Sequence, residues 1–262
     1  MPLGRPRRVW AMAAIHAESG RLIRMHDALY EYFRPGDRVV YLSNYTGYGR
    51  QAAVCMDEIL TFRKMLLALP GVFSDDVVYL RGQQEEMWQK LLQLQFAPDP
   101  ANVLLWMLEN GLAPTLKSYG VSPHDGIEAC GHGVMGLAKW TNAIRVAMRR
   151  HPGHEALGTH LNRAAHTCEE DDYPMLFVHG GLNARKTLAE QGDSLWWRTH
   201  AFAQIDQPYL PFQKVVRGYD PERKGLHLNC ITASIDDGCG FGGTLVSVGF
   251  EADGSVAKVL ET

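Results

Sequence analysis

The sequence has no long apolar run and no excess of charge of either sign. No stretch approaches the roughly 18 uninterrupted apolar residues that a membrane-spanning helix needs. Because 26 basic residues are offset by 29 acidic ones, giving a net charge of -3, the chain lacks the positive surface that contacts to a nucleic-acid backbone require. Neither a membrane nor a nucleic acid is therefore expected as a partner.

Cysteine is also scarce, with five residues at positions 55, 130, 168, 230 and 239 and no C-x-x-C pair among them. An odd, scattered set predicts neither a disulfide framework nor a zinc knuckle, and it fits a reducing compartment. The predicted location is the cytoplasm. The alternative is a secretory signal near the N-terminus, which is disfavoured because His16 and Glu18 interrupt the apolar stretch that begins at Val9.

The chain does contain short apolar runs bounded by turn residues, within an ordinary globular composition of 46% hydrophobic and 21% charged residues. The runs predict buried strands at 9–15, 38–42, 76–80, 175–178, 214–216, 231–235 and 244–250. Helical patterns at 21–33, 51–69 and 85–94 alternate with the first strands. This order predicts an α/β sandwich forming a single domain over 1–262, with a helical cap insertion at roughly 106–170.

Polar loops follow the predicted strands, and in α/β sheets ligands collect at the loops that leave the carboxyl ends of strands. The loops read A-A-I-H-A from Ala13, S-N-Y-T-G-Y-G from Ser43, R-G-Q-Q-E from Arg81, H-G-G-L from His179 and G-Y-D-P from Gly218. Their order and spacing resemble the loops of the calcineurin-like metallophosphoesterases. The likeness is to the bacterial branch that contains serine/threonine protein phosphatases and diadenosine tetraphosphatases.

Matches outside the loops extend this resemblance over nearly the whole chain. G-D-R begins at Gly36, W-M-L-E-N-G-L-A-P-T-L-K-S-Y-G begins at Trp106, and S-L-W-W-R begins at Ser194. The last strands read I-D-D-G from Ile235 and G-G-T-L from Gly242. The resemblance implies the family's fold, a sandwich of two mixed β-sheets flanked by helices.

The resemblance breaks at the residues that carry the family's chemistry. In the family, two divalent metals are held by Asp and His ligands, one Asp bridging, together with an Asn. The six matching positions, at which only the two histidines are kept, are Ala14, His16, Asn44, Gln83, His179 and Tyr219. Gln84 replaces the histidine that acts as general acid, Tyr48 replaces the arginine that binds phosphate, and Gly47 replaces the neighbouring aspartate.

These replacements remove the charge on which a metal pair depends. Two dications about 4 Å apart repel by on the order of 20 kcal/mol even at an effective dielectric constant of about 20, and anionic ligands must offset that repulsion. Ala14 and Asn44 carry no charge and the Gln84 amide does not titrate, so neither a metal-bound nucleophile nor a general acid is expected. We expect no cofactor, or at most one divalent transition metal such as zinc or copper on His16 and His179.

Several other side chains are candidates for a ligand site. Arg198, in the S-L-W-W-R segment, is a candidate phosphate ligand by the resemblance. Four residues that the resemblance places near the same rim would complete a one-metal site: Asp220, Asp236, Asp237 and His227. Histidines at 151, 154, 160 and 166 suggest a second cluster in the cap, although their spacing favours solvated helix faces. Cys130 and His132 suggest a nucleophile and a base, but no orienting third residue can be named.

Three functions remain open. The favoured one is a pseudophosphatase, which binds a phosphorylated small molecule or a partner protein in its former cleft without hydrolysing it. The alternative is a phosphoesterase with residual or rewired single-metal activity on a phosphoprotein or a dinucleoside polyphosphate. The third is a structural subunit whose cleft is filled by Tyr45, Tyr48 and Tyr219. In the place of the metals we expect Tyr219, Asn44 and Gln84 to form a neutral hydrogen-bonded cluster.

Overall fold

The computed structural model describes residues 1–262 as two five-stranded sheets surrounded by helices. The strands are β1 (Arg8–Met12), β2 (Arg38–Tyr41), β3 (Val77–Tyr79), β4 (Ala165–His166), β5 (Met175–Val178), β6 (Lys214–Arg217), β7 (His227–Leu228), β8 (Thr232–Ser234), β9 (Val246–Glu251) and β10 (Val256–Glu261). The α-helices are α1 (Ser19–Tyr32), α2 (Ala52–Leu67), α3 (Gln83–Leu91), α4 (Pro100–Met107), α5 (Ala113–Ser118), α6 (Pro123–Gly131), α7 (Gly133–Arg149), α8 (His154–Thr159) and α9 (Ser194–Trp197).

Both sheets are mixed. The first has the order β10-β9-β1-β2-β3, in which β1, β2 and β3 run parallel and β9 pairs antiparallel with both β1 and β10. The second has the order β4-β5-β6-β8-β7, in which β5, β6 and β8 run parallel. The parallel strands are buried along nearly their whole length, which is why the sequence shows them as continuous apolar runs. The prediction of two mixed sheets flanked by helices is confirmed.

The seven strands predicted from the sequence are present, together with three that its patterns do not predict. Strands β4 and β7 have two residues each, too few for a hydrophobic pattern. Strand β10 reads V-A-K-V-L-E and is exposed over most of its length, because it lies at the edge of the first sheet and pairs with β9 alone. An edge strand of this kind lacks the apolar run that marks the central strands.

The helical insertion differs in its bounds from the expected 106–170. Helix α4 begins at Pro100, because the side chain of Asp99 accepts a hydrogen bond from the backbone N–H of Asn102 and proline suits the first helical position. The last cap helix, α8, ends at Thr159, and strand β4 then pairs with β5. The cap helices have a small apolar core of their own, separate from the 41-residue core shared by the sheets and by helices α1 and α2.

The G-D-R motif anchors the start of β2 to β1. The Asp37 carboxylate is fully buried, lies 2.7 Å from the Arg7 guanidinium, and accepts hydrogen bonds from the indole N–H of Trp10 and the backbone N–H of Arg34. A buried carboxylate is tolerated when it is paired and hydrogen-bonded in this way. Asp37 is therefore part of the framework and lies outside the candidate site.

The parallel strands of the two sheets bring their carboxyl ends together. The backbone N–H of Ala14, after β1, donates to the carbonyl of Gly218, after β6, at 2.9 Å, and that of His16 donates to Asn44, after β2, at 2.7 Å. The N–H of Gly218 in turn donates to the carbonyl of His179, after β5, at 3.0 Å. Four of the loops singled out in the sequence thus meet at one place. No helix combines the length and the apolar character that a membrane crossing requires.

Candidate functional site

The loops after β1 and β2 hold an unusual backbone conformation. Of the five non-glycine residues with positive φ, four lie in these loops: His16, Ala17, Ser43 and Asn44, with φ of 49°, 63°, 92° and 50°. Side chains disfavour this left-handed region, so the conformation persists only where the surroundings fix it. Here the backbone bonds from His16 to Asn44 and from Gly49 to His16 supply that constraint. Strain gathered in this way is typical of a ligand-binding or catalytic loop.

His16 is buried in an aromatic pocket. The rings of Tyr48, Tyr219 and Phe241, called the aromatic cover below, lie 5.2–5.7 Å from its imidazole, centroid to centroid, and meet it edge-on. Its Nε2 lies 3.5 Å from the Asn44 amide nitrogen, and its buried Nδ1 has no hydrogen-bond partner. Burial lowers the pKa of His16 to about 3, so the ring is neutral at pH 7.

His179 lies on the other side of Tyr219. Its Nδ1 contacts the Ser43 hydroxyl, and its buried Nε2 has no partner. Burial lowers the pKa of His179 to about 3 as well. Gly82 lies directly against this group, because a Cβ at that position would overlap Ser43, Asn44 and the His179 ring. The close approach accounts for a glycine in the loop after β3.

The three residues expected to form a hydrogen-bonded cluster do not do so. Asn44 Oδ1 accepts the backbone N–H of Gln84 at 3.2 Å, but the Gln84 side chain donates away from it, to the carbonyl of Asn110 at 2.8 Å. Tyr219 instead stacks on His179, and its hydroxyl has no hydrogen bond to the protein. The expectation was wrong because the phenol ring fills the space by packing on imidazole rather than by hydrogen bonding.

The remaining altered positions contribute no negatively charged metal ligand. The Gln83 amide donates to the carbonyl of Trp196 at the end of α9, at 2.8 Å. Ala14 is buried and presents only a methyl group. Gly47 lies between two side chains that leave little room for a larger residue, since a Cβ there would lie 3.0 Å from both His16 Nδ1 and Gln84 Cδ. Its N–H donates to the hydroxyl of Thr115 in α5, which ties the loop to the cap.

One carboxylate at the site was missed by the sequence reasoning. Glu85 is buried and accepts backbone N–H bonds from Asn44, Tyr45 and Gly82 at 2.9–3.0 Å, using both oxygens. Burial raises its pKa. Because these three bonds hold the loops after β2 and β3 against each other, Glu85 organises the site and is not free to bind a metal. The only signal for it in the sequence was the last letter of the R-G-Q-Q-E loop.

Two further residues of the site carry no sequence signal. Phe241 packs on Tyr48 with ring centroids 4.6 Å apart and completes the aromatic cover over His16. The guanidinium carbon of Arg223 lies 3.5 Å from the centroid of the Phe241 ring, in a cation–π contact. Arg223 is exposed and has no ion pair, so the cover presents a positive charge to solvent.

The acidic residues expected near the rim are engaged elsewhere. Asp220 pairs with Arg217 at 2.9 Å, while Asp236 accepts the backbone N–H groups of Asp220 and Gly238, and burial raises the pKa of Asp236 to about 6. Asp237 accepts the Thr244 hydroxyl. His227 is exposed and lies 3.5 Å from the amide of Asn229. None of these residues forms a three-ligand set with His16 or His179.

A metal pair of the kind that the fold family implies does not fit this donor set. The two unpaired nitrogens, His16 Nδ1 and His179 Nε2, are ligand atoms, but the groups around them are aromatic rings and amides without negative charge. Two imidazoles fall short of the three protein ligands usual at a catalytic zinc. The site therefore lacks the ligand set that a hydrolytic metal pair requires.

Arg198 is exposed and follows α9, where its backbone lies against Gly181 in the loop after β5. Its guanidinium forms no ion pair. Two of the four cap histidines, His151 and His154, do come together, and their partner is Asp57 of α2. The other two lie apart from them: His160 bonds at the end of α8, and His166 lies in β4.

A cavity of about 270 Å³ joins the back of the site loops to the cap. Tyr45, Glu85, Trp88, Tyr119 and Arg145 are among its lining residues. The Arg145 guanidinium is its one cation, and it already donates to the carbonyl of Leu92. The cavity has room for a small apolar group but offers little charge to a phosphate.

The sequence matches no family model and no curated protein. Solved structures do match. A protein assigned as a diadenosine tetraphosphatase shares 14% identity, with 99% of this chain and 97% of that chain covered and a TM-score of 0.53. A cold-active protein-tyrosine phosphatase of a psychrophilic Shewanella shares 13% (99% and 82% covered, TM-score 0.53), and a protein serine/threonine phosphatase from Saccharomyces cerevisiae shares 10% (95% and 76% covered, TM-score 0.51). The chain has the calcineurin-like metallophosphoesterase fold, and identities this low show the fold alone.

Proposed function

We propose that this protein is a pseudophosphatase, which binds a phosphorylated small molecule or partner protein and does not hydrolyse it. The observation that carries the proposal is the neutral, buried state of His16 and His179, enclosed by the aromatic cover with no carboxylate free to join them. Hydrolysis on this fold needs an activated water and a group that protonates the leaving oxygen. The site supplies neither, since Gln84 does not titrate and its amide is bound to Asn110.

The binding part of the proposal rests on the exposed surface around the cover. Arg223 lies on Phe241, and the backbone of Arg198 packs on Gly181 in the loop after β5. Both guanidinium groups are free of ion pairs. A planar guanidinium binds phosphate oxygens through two parallel hydrogen bonds, and such a contact needs no metal. Phosphate would therefore bind outside the cover, at the surface.

The alternative, residual hydrolysis on a single metal, is favoured by one observation. His16 Nδ1 and His179 Nε2 are buried and have no hydrogen-bond partner, a condition that costs free energy unless another group satisfies them. A single zinc or copper ion is one such group. Substrate would then have to displace part of the aromatic cover to reach it.

Hydrolysis and binding assays separate these functions. Purified protein, alone or with Mn²⁺ or Zn²⁺, is offered an aryl phosphate, a phosphoserine peptide and diadenosine tetraphosphate, and we expect no product above the buffer control. Elemental analysis should find no manganese or iron pair, because the oxygen ligands that select those ions are absent. Turnover that His16→Gln abolishes would contradict the pseudophosphatase assignment and support the one-metal alternative.

Binding is measured by fluorescence anisotropy with a labelled phosphoserine peptide and labelled ATP, each against its unphosphorylated counterpart. Arg198→Ala and Arg223→Ala should weaken binding of the phosphorylated probes. Arg24→Ala, an exposed arginine on α1, is the matched control and should leave it unchanged. If no phosphorylated probe binds better than its counterpart, the ligand-binding part is wrong and the structural-subunit function takes its place.

A further inference from the structure

A second cluster of metal-binding side chains lies outside the site described above. It consists of Asp57, His151 and His154, each of which offers one ligand atom within 4.8 Å of the other two. Asp57 lies on α2, His154 begins α8, and His151 lies in the turn between α7 and α8. We propose that Asp57, His151 and His154 bind one zinc ion.

The distances are close to those of a zinc site. His154 Nε2 lies 2.9 Å from Asp57 Oδ1, and His151 Nδ1 lies 3.8 Å from Asp57 Oδ2. With zinc–ligand bonds of about 2.0–2.2 Å in a tetrahedron, the ligand atoms are about 3.3–3.6 Å apart. An ion would therefore replace the direct His154–Asp57 hydrogen bond, and the His151 ring, which now stacks on His154 with the planes 19° apart, would turn to direct its Nδ1 at the ion.

The turn that carries the two histidines packs closely against α2. Gly153, between them, has a φ of 91°, and a Cβ there would lie 2.9 Å from Leu60 Cδ1. Leu60 and Asp57 are three residues apart and so lie on one face of the helix. The close approach to Leu60 thus places the turn with both histidines next to the carboxylate.

His154 is further oriented by Tyr119, the residue that follows α5. The Tyr119 hydroxyl lies 2.8 Å from His154 Nδ1, and the His154 side chain is completely buried. A histidine that binds a metal through one ring nitrogen usually has its other nitrogen hydrogen-bonded in this way. In the metal-free state Tyr119 donates to Nδ1 and Nε2–H donates to Asp57. With zinc on Nε2, the ring proton lies on Nδ1 and is donated to the Tyr119 oxygen, so the imidazole is neutral in both states.

The donor set selects the ion. Two imidazoles and one carboxylate suit zinc and related transition metals, whereas calcium and magnesium require mainly oxygen ligands. The side chains of Asp57 and His151 are 53% and 33% exposed, so the ion has an open path from solvent. Three protein ligands leave the fourth position for water.

A competing explanation is that Asp57, His154 and Tyr119 form only a structural hydrogen-bond chain. In that explanation His151 contributes only ring packing, since it stacks on His154 and meets Tyr119 edge-on, and its side chain has no hydrogen bond within the chain. His151→Gln therefore separates the two: it leaves the chain of hydrogen bonds intact and removes a zinc ligand.

The experiment is a calorimetric titration of metal-free protein with Zn²⁺, with Co²⁺ absorption as the spectroscopic reading of tetrahedral coordination. We expect one equivalent to bind the native chain, and His151→Gln to weaken binding at least about 10-fold, since even outer hydrogen-bond partners of a ligand are worth about 10–100-fold. His124→Gln tests the exposed His124, Asp125 and Glu128 group, and His16→Gln tests the histidines of the first site. Both controls should bind zinc as the native chain does.

The outcome that overturns the proposal is equally definite. Native protein that binds no zinc, or His151→Gln protein that binds it as tightly as native protein, excludes the site. Weakening by His124→Gln or His16→Gln instead would place the ion elsewhere. Weakening by His16→Gln would support the one-metal alternative of the first site, whereas the His151→Gln result does not depend on whether the protein hydrolyses or binds phosphate esters. The zinc proposal and the pseudophosphatase proposal are therefore tested on different variants.

Discussion

The ring of Tyr219 lies parallel to the imidazole of His179, with the centroids 5.2 Å apart and the planes at 8°. Tyr219 also meets His16 edge-on, at 5.7 Å, so one phenol packs against both histidines. Its hydroxyl has no hydrogen bond to the protein, and the residue is 8% exposed. The contribution of Tyr219 is therefore packing on two neutral imidazoles.

Removing this ring should destabilise the protein. Tyr219→Ala leaves a cavity beside both histidines, and we expect the free energy of unfolding to fall by about 3 kcal/mol, the lower end of the usual cost of truncating a buried aromatic ring. Urea unfolding at pH 7 measures the change. Tyr219→Phe is the matched control and should stay within about 0.5 kcal/mol of native protein. A large loss in the Phe variant would show that the hydroxyl does have an important partner.

Acid should destabilise the metal-free protein through His16 and His179. Burial lowers the pKa of each to about 3 in the folded chain, against an ordinary value of 6.5. Between these two pH values the unfolded chain binds more protons than the folded chain. The free energy of unfolding therefore keeps the full contribution of the two neutral histidines above pH 6.5 and loses it as the pH falls. From pH 7 to pH 5 each histidine costs about 2 kcal/mol of unfolding free energy.

Asp236 acts in the opposite direction over part of this range. Burial raises the pKa of Asp236 to about 6, so this carboxyl binds a proton at a higher pH in the folded chain than in the unfolded chain. At pH 5 this difference adds about 1 kcal/mol to the free energy of unfolding. Urea titrations at pH 7 and pH 5 measure the net loss. His16→Gln removes one of the two titrating groups, and its loss between these pH values should be smaller by about 2 kcal/mol. Equal losses in both proteins would show that His16 is already protonatable when folded.

Much of the fold follows from local patterns. The strand at Met175–Val178 is predicted to the residue, because a buried parallel strand is a continuous apolar run between turn residues. Strand β10 is not predicted, because its position depends on pairing with β9 at a sheet edge and not on its own composition. The loops of the site can be located from the sequence as well, because each loop, like each strand, is a short contiguous segment.

The chemistry of the sites is less predictable, because it depends on residues far apart in the chain. Nothing near Asp57 in the sequence indicates His154, which is 97 residues away, and their contact arises only when the α7–α8 turn packs on α2. The same is true of Phe241, which reaches His16 from the loop after β8. Altered motif letters predict which of the family's ligands are missing, but they carry no information about what fills the space.

Asp37 should prove important for stability and not for ligand binding. Its buried carboxylate has three partners, Arg7, Trp10 and the backbone of Arg34. Asp37→Ala leaves these donors unpaired, and we expect a loss of about 3–5 kcal/mol in unfolding free energy. Asp75→Ala is the control, because Asp75 is exposed and should change stability by less than about 0.5 kcal/mol. Thermal and urea unfolding measure both. A loss of comparable size in the two variants would remove the special role of Asp37.

Restoring the family's ligands should restore the metal pair. The variant combines Ala14→Asp, Asn44→Asp, Gln83→Asn, Gln84→His and Tyr219→His. It is made in a His151→Gln background, so that metal bound at Asp57 does not add to the metal counted at the restored site. The first two changes supply the negative charge that a dication pair needs. We expect about two equivalents of Mn²⁺ by elemental analysis after dialysis. Without metal the melting temperature should fall, because close like charges then face each other and the buried Glu85 in a dry site.

The control for this restoration carries only Gln83→Asn, Gln84→His and Tyr219→His in the same background. It has the neutral ligands without the carboxylates, so it should bind no manganese pair. If the two variants bind manganese equally, charge is not what the native site lacks. If the variant with all the changes is folded by circular dichroism and binds no metal, the assignments of Ala14, Asn44 and Tyr219 to ligand positions are wrong. That result would mean the loops after β1, β2 and β6 have a different shape from those of the metal-binding phosphoesterases, even though the strands that carry them share one fold.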